Sequence, residues 1–318
     1  MTQARDGGRA PTAVEPGLGT DGPMDAPPQV TVVLPIYNEE ASLEAELERI
    51  RTSLEKSPYT WEVLAVDDGS SDRSAEILDA HPWVRRITFN QNRGSGTARR
   101  VGTIEARGNV VVWTDADMTY PNDHIPELVD QLGTADQVVG ARTSEQGTMR
   151  WLRIPAKWVI RRIAEWLTGT RVPDLNSGFR AFRRDSAMPY IDLLPTGFSC
   201  VTTITVAMLS DARQVKYWRI PYAKRTGHSK FHPIRDSYRY ILQIVRMVMF
   251  FSPLRVFFPL AVALLLVGTV KLGYDVVTDP VQIAINTVLI LLTGIQVLVL
   301  GLLADLIVAR TRGTSPLP

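Results

Sequence analysis

Two stretches near the C-terminus limit the architecture more than any other feature of this chain. Residues 281–304 are 24 residues without a charge, and residues 256–274 are 19 residues with Lys271 as the sole charge. Roughly 20 apolar residues in a helix cross the hydrocarbon core of a bilayer. Pro259 falls near the start of the first stretch, where a helix tolerates it. Lys271 sits near the end, where its side chain can reach the interface. Residues 275–280, between the two runs, hold no Lys or Arg, whereas Arg246, Arg255, Arg310 and Arg312 flank the pair. The positive-inside rule predicts a two-span hairpin with both termini, and the large N-terminal region, in the cytoplasm at the inner (plasma) membrane. Two buried core helices are the competing reading. It is weak, because two such runs side by side are poor material for a soluble core.

The rest of the chain has a different character. Residues 1–28 are rich in Gly, Pro, Ala and Asp and lack an apolar signal-peptide core, so a disordered tail is expected. A net charge of +2 gives no field that would argue for nucleic acid. The single cysteine, Cys200, rules out an intrachain disulfide and suits a reducing compartment.

From residue 30 onward, short β-rich runs alternate with helical patterns. Strands are expected at 30–35, 61–66, 84–90, 110–115 and 137–140. Helices are expected at 42–54, 73–80 and 94–106, the first on the spacing Leu43, Leu47, Ile50 and Leu54. This alternation predicts an α/β fold with a mostly parallel sheet.

Three of the expected strands end in polar clusters that a parallel sheet would bring to one edge. These are Pro35-Ile36-Tyr37-Asn38-Glu39, Asp67-Asp68-Gly69-Ser70 and Asp115-Ala116-Asp117. Open α/β sheets bind ligands outside the carboxyl ends of their strands. On an extended segment positions i and i+2 point to the same side, so Asp115 and Asp117 are expected to converge at the strand's C-terminal end. Two hard oxygen ligands suit Mg²⁺ or Mn²⁺. Tyr37 can border a base, and Asp67 or Asp68 can accept hydrogen bonds from base or ribose. The combination predicts a nucleoside-diphosphate site. No Walker-type loop is present, and Arg93-Gly94-Ser95-Gly96-Thr97 lacks the full dinucleotide fingerprint. Taken alone, Asp67-Asp68-Gly69 is equally well read as a turn.

Further along, residues 148–169 carry Trp151, Trp158 and Trp166 among five basic residues. They form either a helix packed on the sheet or a membrane-surface element. The turn at 174–178 leads into a short strand carrying Arg180. A helix is expected at 201–209 and a strand at 215–220. Residues 225–232 form a loop with His228, Ser229, Lys230 and His232, and Lys and Ser there can meet phosphate. The two histidines have no carboxylate beside them and are read as loop residues. Over 234–251, Arg235, Arg239, Gln243 and Arg246 fall on one face and apolar residues on another, as in a helix lying in a membrane interface. The expected domains are therefore a tail (1–28), a cytoplasmic domain (29–232), an interfacial helix (233–253) and a membrane hairpin with a short tail (254–318).

This layout and its motifs resemble the family-2 glycosyltransferases, in particular the polyprenyl- and dolichyl-phosphate sugar (mannose/glucose) synthases. The similarity rests on Pro35 to Glu39, Val66-Asp67-Asp68-Gly69-Ser70, Asp115-Ala116-Asp117, Ser177-Gly178-Phe179-Arg180 and Gly227-His228-Ser229-Lys230. It covers residues 30–231, with the hairpin matching a subgroup. The resemblance implies a nucleotide-binding glycosyltransferase A-type sandwich, with Pro35, Tyr37 and Glu39 lining the nucleotide and Asp67 and Asp68 on base or ribose. Asp117 would be the principal metal ligand, with Asp115 and Ala116 on the donor sugar side. Arg142, Arg180, Ser229 and Lys230 would meet donor and acceptor phosphates. Two positions depart from the pattern: Thr119 stands where many members have a metal-binding Gln, and Ser95 where many have a Lys.

The implied reaction is an inverting, metal-dependent transfer of a hexose from a GDP- or UDP-sugar to a polyprenyl phosphate. That phosphate is mostly dianionic at neutral pH and needs no general base. Three rivals stand beside this reading. A hydroxyl-acceptor transferase of cell-envelope glycan synthesis would need a carboxylate base. A processive polysaccharide synthase would carry Q-x-x-R-W, whereas Gln146 to Trp151 is one residue too long. A catalytically silent, membrane-anchored nucleotide-binding module would have no use for Asp115 and Asp117. The sugar, the prenyl length and any homo-oligomer are not readable from these residues.

Overall fold

The computed structural model describes residues 27–143, 169–197, 199–223, 253–278 and 284–313, with 162, 165, 166 and 249 as isolated positions. The expected tail through residue 26, most of 148–169, the loop bearing Ser229 and Lys230, and nearly all of the interfacial helix lie outside the described residues. The chain divides into two compact units. One carries a seven-stranded sheet and the other two long helices.

The first unit begins with β1 (Val30–Ile36), α1 (Leu43–Glu55), β2 (Trp61–Asp67), α2 (Ser74–Asp79), β3 (Val84–Thr88), α3 (Ser95–Glu105) and β4 (Val110–Trp113). It continues through α4 (Ile125–Leu132), β5 (Gln137–Arg142), β6 (Arg180–Arg183), α5 (Arg184–Ala187), α6 (Cys200–Ser210) and β7 (Val215–Ile220). The spatial order is β3-β2-β1-β4-β6-β5-β7. β1, β2, β3 and β4 run parallel, and β7 runs parallel to β5, while β6 is antiparallel to both its neighbours. The near-continuous apolar runs of β1 and β4 suit strands covered on both faces, and Val32, Val33, Leu34, Val111, Val112 and Trp113 are fully buried.

This topology positions the site. The chain runs β1 to β2 to β3 in one direction across the sheet and then returns to place β4 on the other side of β1. The crevice between β1 and β4 is the topological switch point at which open α/β sheets bind ligands. The loops after β1, β2 and β4 share that edge. Because β6 is antiparallel to β4, with Arg180 opposite Trp113, the 174–179 turn arrives at the same edge from the other direction. α1 lies across the sheet on the expected stripe, with Leu43, Leu47, Ile50 and Leu54 buried. The amphipathic helix α4, opening with Pro126 in its first turn, was not expected from the sequence; it buries Ile125, Leu128, Val129 and Leu132.

The second unit holds α7 (Leu254–Thr278) and α8 (Ile285–Gly313), both long and apolar enough to cross a membrane. They pack closely where a side chain is missing. A Cβ on Gly268 would lie 2.6 Å from the Leu291 side chain, and one on Gly294 would lie 2.9 Å from Leu265. The sequence expectation that residues 275–280 form the connecting loop is corrected here. α7 continues through Thr278, and Asp275 is a buried helical residue. Lys271, expected to reach for the interface, instead pairs with Asp275 at 3.0 Å one turn away, and the Thr287 hydroxyl of α8 donates to the same carboxylate. A charge within a membrane span is least costly when paired in this way.

Candidate active site

The loop after β4 carries the candidate metal ligands, and its geometry differs from the extended segment expected. β4 ends at Trp113, and the chain bends through 116–118, with Met118 in the left-handed region at φ 62°. Asp115 and Asp117 therefore do not face one side through strand alternation. The bend sets their separate environments. Asp117 is 7% exposed, and its Oδ1 accepts both the backbone N–H and the hydroxyl of Thr119. Thr119, the residue that departs from the family pattern, thus orients the carboxylate beside it. The Asp115 side chain is 30% exposed and forms an ion pair with the fully buried Arg99 of α3. The sequence reading missed Arg99. An arginine in the fifth position of an amphipathic helix reads as solvated unless the partner is known.

A polar network underneath fixes the loop. The Asn122 amide donates to Glu46 Oε1 at 2.7 Å and to the Asp115 carbonyl at 3.2 Å, while its own oxygen accepts from the Thr114 hydroxyl. The Ser42 hydroxyl donates to the Ala116 carbonyl at 2.7 Å. Glu46 has no exposed surface. Burial pushes its carboxyl up to about 6, against the pull of Asn122, Arg49 and the Met118 N–H, and the Asp117 charge adds to the rise.

The loops after β1 and β2 are knitted to each other. Ser70 Oγ accepts from the Asn38 N–H, and Asn38 Oδ1 accepts from the Ser71 N–H. Asn38 is left-handed at φ 53°, a conformation asparagine tolerates. Pro35, Tyr37 and Glu39 are half-buried along this edge. Asp67 is buried and accepts from the Ser70 N–H.

Asp68 departs from its expected role on base or ribose. It is buried, and its two oxygens accept from the Arg93 and Gly94 N–H groups at 2.6 and 2.8 Å, bracing the turn into α3. Burial raises its carboxyl, partly offset by those two bonds. The start of α3 is not open to a phosphate either, because the Thr196 carbonyl accepts from the Gly96 N–H at 2.8 Å.

Arg180 is a second correction. The expected contact with acceptor phosphate does not fit a side chain that is 0% exposed. Its guanidinium donates to the Ser177 carbonyl through two nitrogens, to the Val201 carbonyl at 2.6 Å and to the Thr205 hydroxyl at 2.8 Å. Burial lowers it to about 10, so it remains charged at neutral pH. Arg180 and Arg99 each lie against the ring of Trp113, at 6.0 and 5.8 Å. Arg180 thus ties the 177–180 turn to α6 from inside. The turn itself faces the site: the Gly178 N–H donates to the Tyr120 hydroxyl at 2.7 Å, and a Cβ on Gly178 would lie 3.0 Å from Asp115 Oδ2.

Arg142, at the end of β5, is brought to the same edge. It forms a two-pronged pair with Asp174 at 2.7 and 2.9 Å and lies over the Tyr222 ring at 5.1 Å. Ser229 and Lys230 are outside the described residues.

Among the described residues no group of three or more His, Cys, Asp or Glu side chains is gathered for a metal. The donor set here is two carboxylates, Asp115 and Asp117, which fits a hard divalent cation whose remaining ligands come from a diphosphate and water. With Asp115 already paired to Arg99, Asp117 is the better candidate for the direct ligand.

Comparison with known proteins agrees with this architecture. Residues 31–190 match the family described as Glycosyl transferase family 2, and residues 252–309 match the GtrB C-terminal hairpin. An undecaprenyl-phosphate 4-deoxy-4-formamido-L-arabinose transferase of Aeromonas hydrophila is 30% identical over 299 residues, covering 87% of this chain and 88% of that protein. A dodecaprenyl-phosphate galacturonate synthase of Rhizobium johnstonii is 28% identical over 324 residues, covering 94% and 93%. The chain spans less of the Pseudomonas aeruginosa transferase of the first name, at 32% identity over 212 residues and 61% of its length. Glucosyl-3-phosphoglycerate synthase from Mycobacterium tuberculosis, solved with Mn²⁺, UDP-glucose and phosphoglyceric acid, superposes with a TM-score of 0.54. It is 20% identical and covers 70% of this chain and 80% of its own, a likeness of fold. The sheet with its switch-point carboxylates, together with these matches, makes this chain a member of glycosyl transferase family 2.

Proposed function

We propose that this protein transfers a hexose from a nucleotide-sugar, a UDP- or GDP-hexose, to the phosphate of a polyprenyl lipid, with inversion at the anomeric carbon. The observation that carries the reading is the Asp115–Asp117 loop at the switch-point edge of a family-2 sheet, in a chain that also carries the matched hairpin. Relatives named for undecaprenyl- and dodecaprenyl-phosphate products support the acceptor class. Neighbours solved with Mn²⁺ and UDP-glucose support a divalent cation and a nucleoside diphosphate.

The residues take distinct parts. The Pro35–Glu39 segment and Asp67 border the nucleoside. Asp117, oriented by Thr119, and Asp115, held by Arg99, face the diphosphate and sugar. A bound Mg²⁺ or Mn²⁺ supplies charge for the departing diphosphate. The acceptor phosphate is its own nucleophile, being mostly dianionic above pH 6 or so. The remaining requirement is cationic charge between two anions, which Arg142 and Lys230 supply, with the Ser229 hydroxyl as a hydrogen-bond donor. The hairpin holds the domain at the cytoplasmic face of the membrane, where the lipid headgroup lies.

The test is incubation of the solubilised protein with labelled UDP- and GDP-sugars and either polyprenyl phosphate or the matching polyprenol. Glycolipid formed with the phosphate alone, and lost on chelation of divalent cations, is the expected result. Equal transfer to the alcohol supports the hydroxyl-acceptor reading, and no transfer to either leaves a nucleotide-binding module.

A further inference from the structure

α1 has a second stripe that its hydrophobic pattern conceals. One position before each apolar residue of the Leu43, Leu47, Ile50 and Leu54 stripe lies a polar one: Ser42, Glu46, Arg49 and Ser53. The spacing of three and four residues puts all four on one helical face. Every one of them holds the segment between β4 and α4. Ser42 donates to the Ala116 carbonyl at 2.7 Å, and Glu46 accepts from Asn122 at 2.7 Å. Arg49 donates to the Tyr120 carbonyl at 3.0 Å and pairs with Asp123, while Ser53 donates to the Asp123 carbonyl at 2.9 Å. Glu46, Asn122 and Ser42 are buried.

We infer that this stripe is a clamp that sets the geometry of the Asp115–Asp117 loop, with Glu46 and Asn122 as its positioning residues. The argument is geometric. Among the described residues Asn122 is the one side chain that touches Glu46, the Asp115 carbonyl and Thr114, so it fixes the chain on either side of Asp115. Its amide can keep both acceptors only if Glu46 stays in place. The loop it fixes contains Met118 at φ 62°, a backbone conformation that a non-glycine residue holds only when its surroundings over-determine it. Contacts from four residues on one rigid helix and its N-cap supply that determination. Glu46 touches neither carboxylate of the pair and acts through Asn122 and the Met118 N–H.

The inference rests on the reading that Asp115 and Asp117 hold the cation with the donor diphosphate, and its test must separate the two. The full chain in detergent is titrated with Mn²⁺ in the presence of UDP, with free Mn²⁺ read by electron paramagnetic resonance, and melting temperature is followed in parallel. Partners that orient metal ligands are worth roughly 10- to 100-fold in affinity. Glu46→Leu and Asn122→Ala should therefore weaken Mn²⁺ binding by about tenfold or more. Glu46→Gln keeps the acceptor for Asn122 and should restore most of that loss. Leu47→Ala, a core truncation on the same helix, should lower the melting temperature and leave Mn²⁺ binding at the wild-type value. Asp117→Ala reports on the metal reading itself. Weak binding in Asp117→Ala with normal binding in Glu46→Leu overturns the clamp alone, as does a loss in Leu47→Ala equal to that in Glu46→Leu. Wild-type binding in Asp117→Ala overturns the metal reading, and the clamp's role with it.

Discussion

Arg180 offers a sharp test because its motif and its surroundings point to different roles. As the arginine of Ser177-Gly178-Phe179-Arg180 it was expected at the acceptor phosphate. In the fold it is enclosed, with its nitrogens engaged by Ser177, Val201 and Thr205. Replacing it by Met keeps approximate length and removes every donor. The Val201 carbonyl retains the Thr205 hydroxyl at 3.1 Å, so it is not orphaned. The Ser177 carbonyl loses both its guanidinium bonds, and an unsatisfied buried carbonyl costs about 1–3 kcal/mol. The lost bonds to Val201 and Thr205 add to this, while removal of a buried charge offsets part of it. A net loss of roughly 2–4 kcal/mol follows. For a domain of this size that lowers the melting temperature by roughly 4–16 °C.

Arg180→Lys sharpens the comparison. Lysine keeps the charge, which is what an acceptor phosphate would require. It cannot reproduce a planar fork that reaches three acceptors at once. The internal brace predicts that both variants melt early, with residual transfer tracking the folded fraction. The assay is thermal unfolding followed by tryptophan fluorescence, paired with transfer measured well below the midpoint. A Met variant with the wild-type melting temperature and no transfer would refute the reasoning and return Arg180 to the acceptor.

Three further outcomes can be measured. Gly178→Ala places a methyl 3.0 Å from Asp115 Oδ2 and 3.2 Å from Arg99 Nη2, so these groups must yield by a few tenths of an ångström; transfer should fall roughly tenfold in a folded protein, and unchanged kinetics would remove the turn from the site. Burial pushes the Asp174 carboxyl up, but the Arg142 pair and two backbone N–H groups outweigh it and hold it below the usual carboxylate range. A depressed carboxyl stabilises the fold above its unfolded value of about 3.9 and loses that contribution on acidification. The melting-temperature gap between wild type and Asp174→Asn should therefore be widest near neutrality and close below about pH 4; a gap independent of pH would contradict the pairing. A cysteine at Thr278, with Cys200 replaced, should react with an impermeant thiol reagent on intact cells, and reaction only after lysis would reverse the proposed orientation.

Much of the sheet was legible because its strands are buried on both faces and read as unbroken β-rich runs. β1, β2 and β4 appear within a residue or two of their expected bounds. The switch-point edge followed from polar clusters recurring at strand ends, a pattern that needs no knowledge of side-chain partners. What escaped was whatever depends on partners distant in sequence. Arg99 and Arg180 look alike as exposed helix and strand cations until the fold shows each enclosed against Trp113. Asp68 looks like a ligand until the Arg93–Gly94 turn, 25 and 26 residues away, takes both its oxygens. The polar stripe of α1 looks like the solvated side of an amphipathic helix, and only contacts some seventy residues on show that Ser42, Glu46 and Ser53 are buried.

Those reassignments change where positive charge can come from. The proposed reaction brings a phosphate monoester up to a diphosphate, and a cation must stand between them. Arg180 and Arg99 are engaged inside the fold, one by carbonyls and one by Asp115. Arg142 is at the right edge but shares its guanidinium with Asp174 and the Tyr222 ring. A planar fork held by a carboxylate on one side is a rigid, pre-aimed contact rather than a mobile one. It suits a donor whose position is set by the Asp115–Asp117 loop. The acceptor arrives from the membrane and must be met by a group that can move with it. Lys230, a compact charge on a flexible stem three residues after Gly227 in the sequence, has that character. On the proposed reaction, side-chain chemistry then divides the labour: the arginines would fix the frame and the donor, and the lysine would follow the lipid.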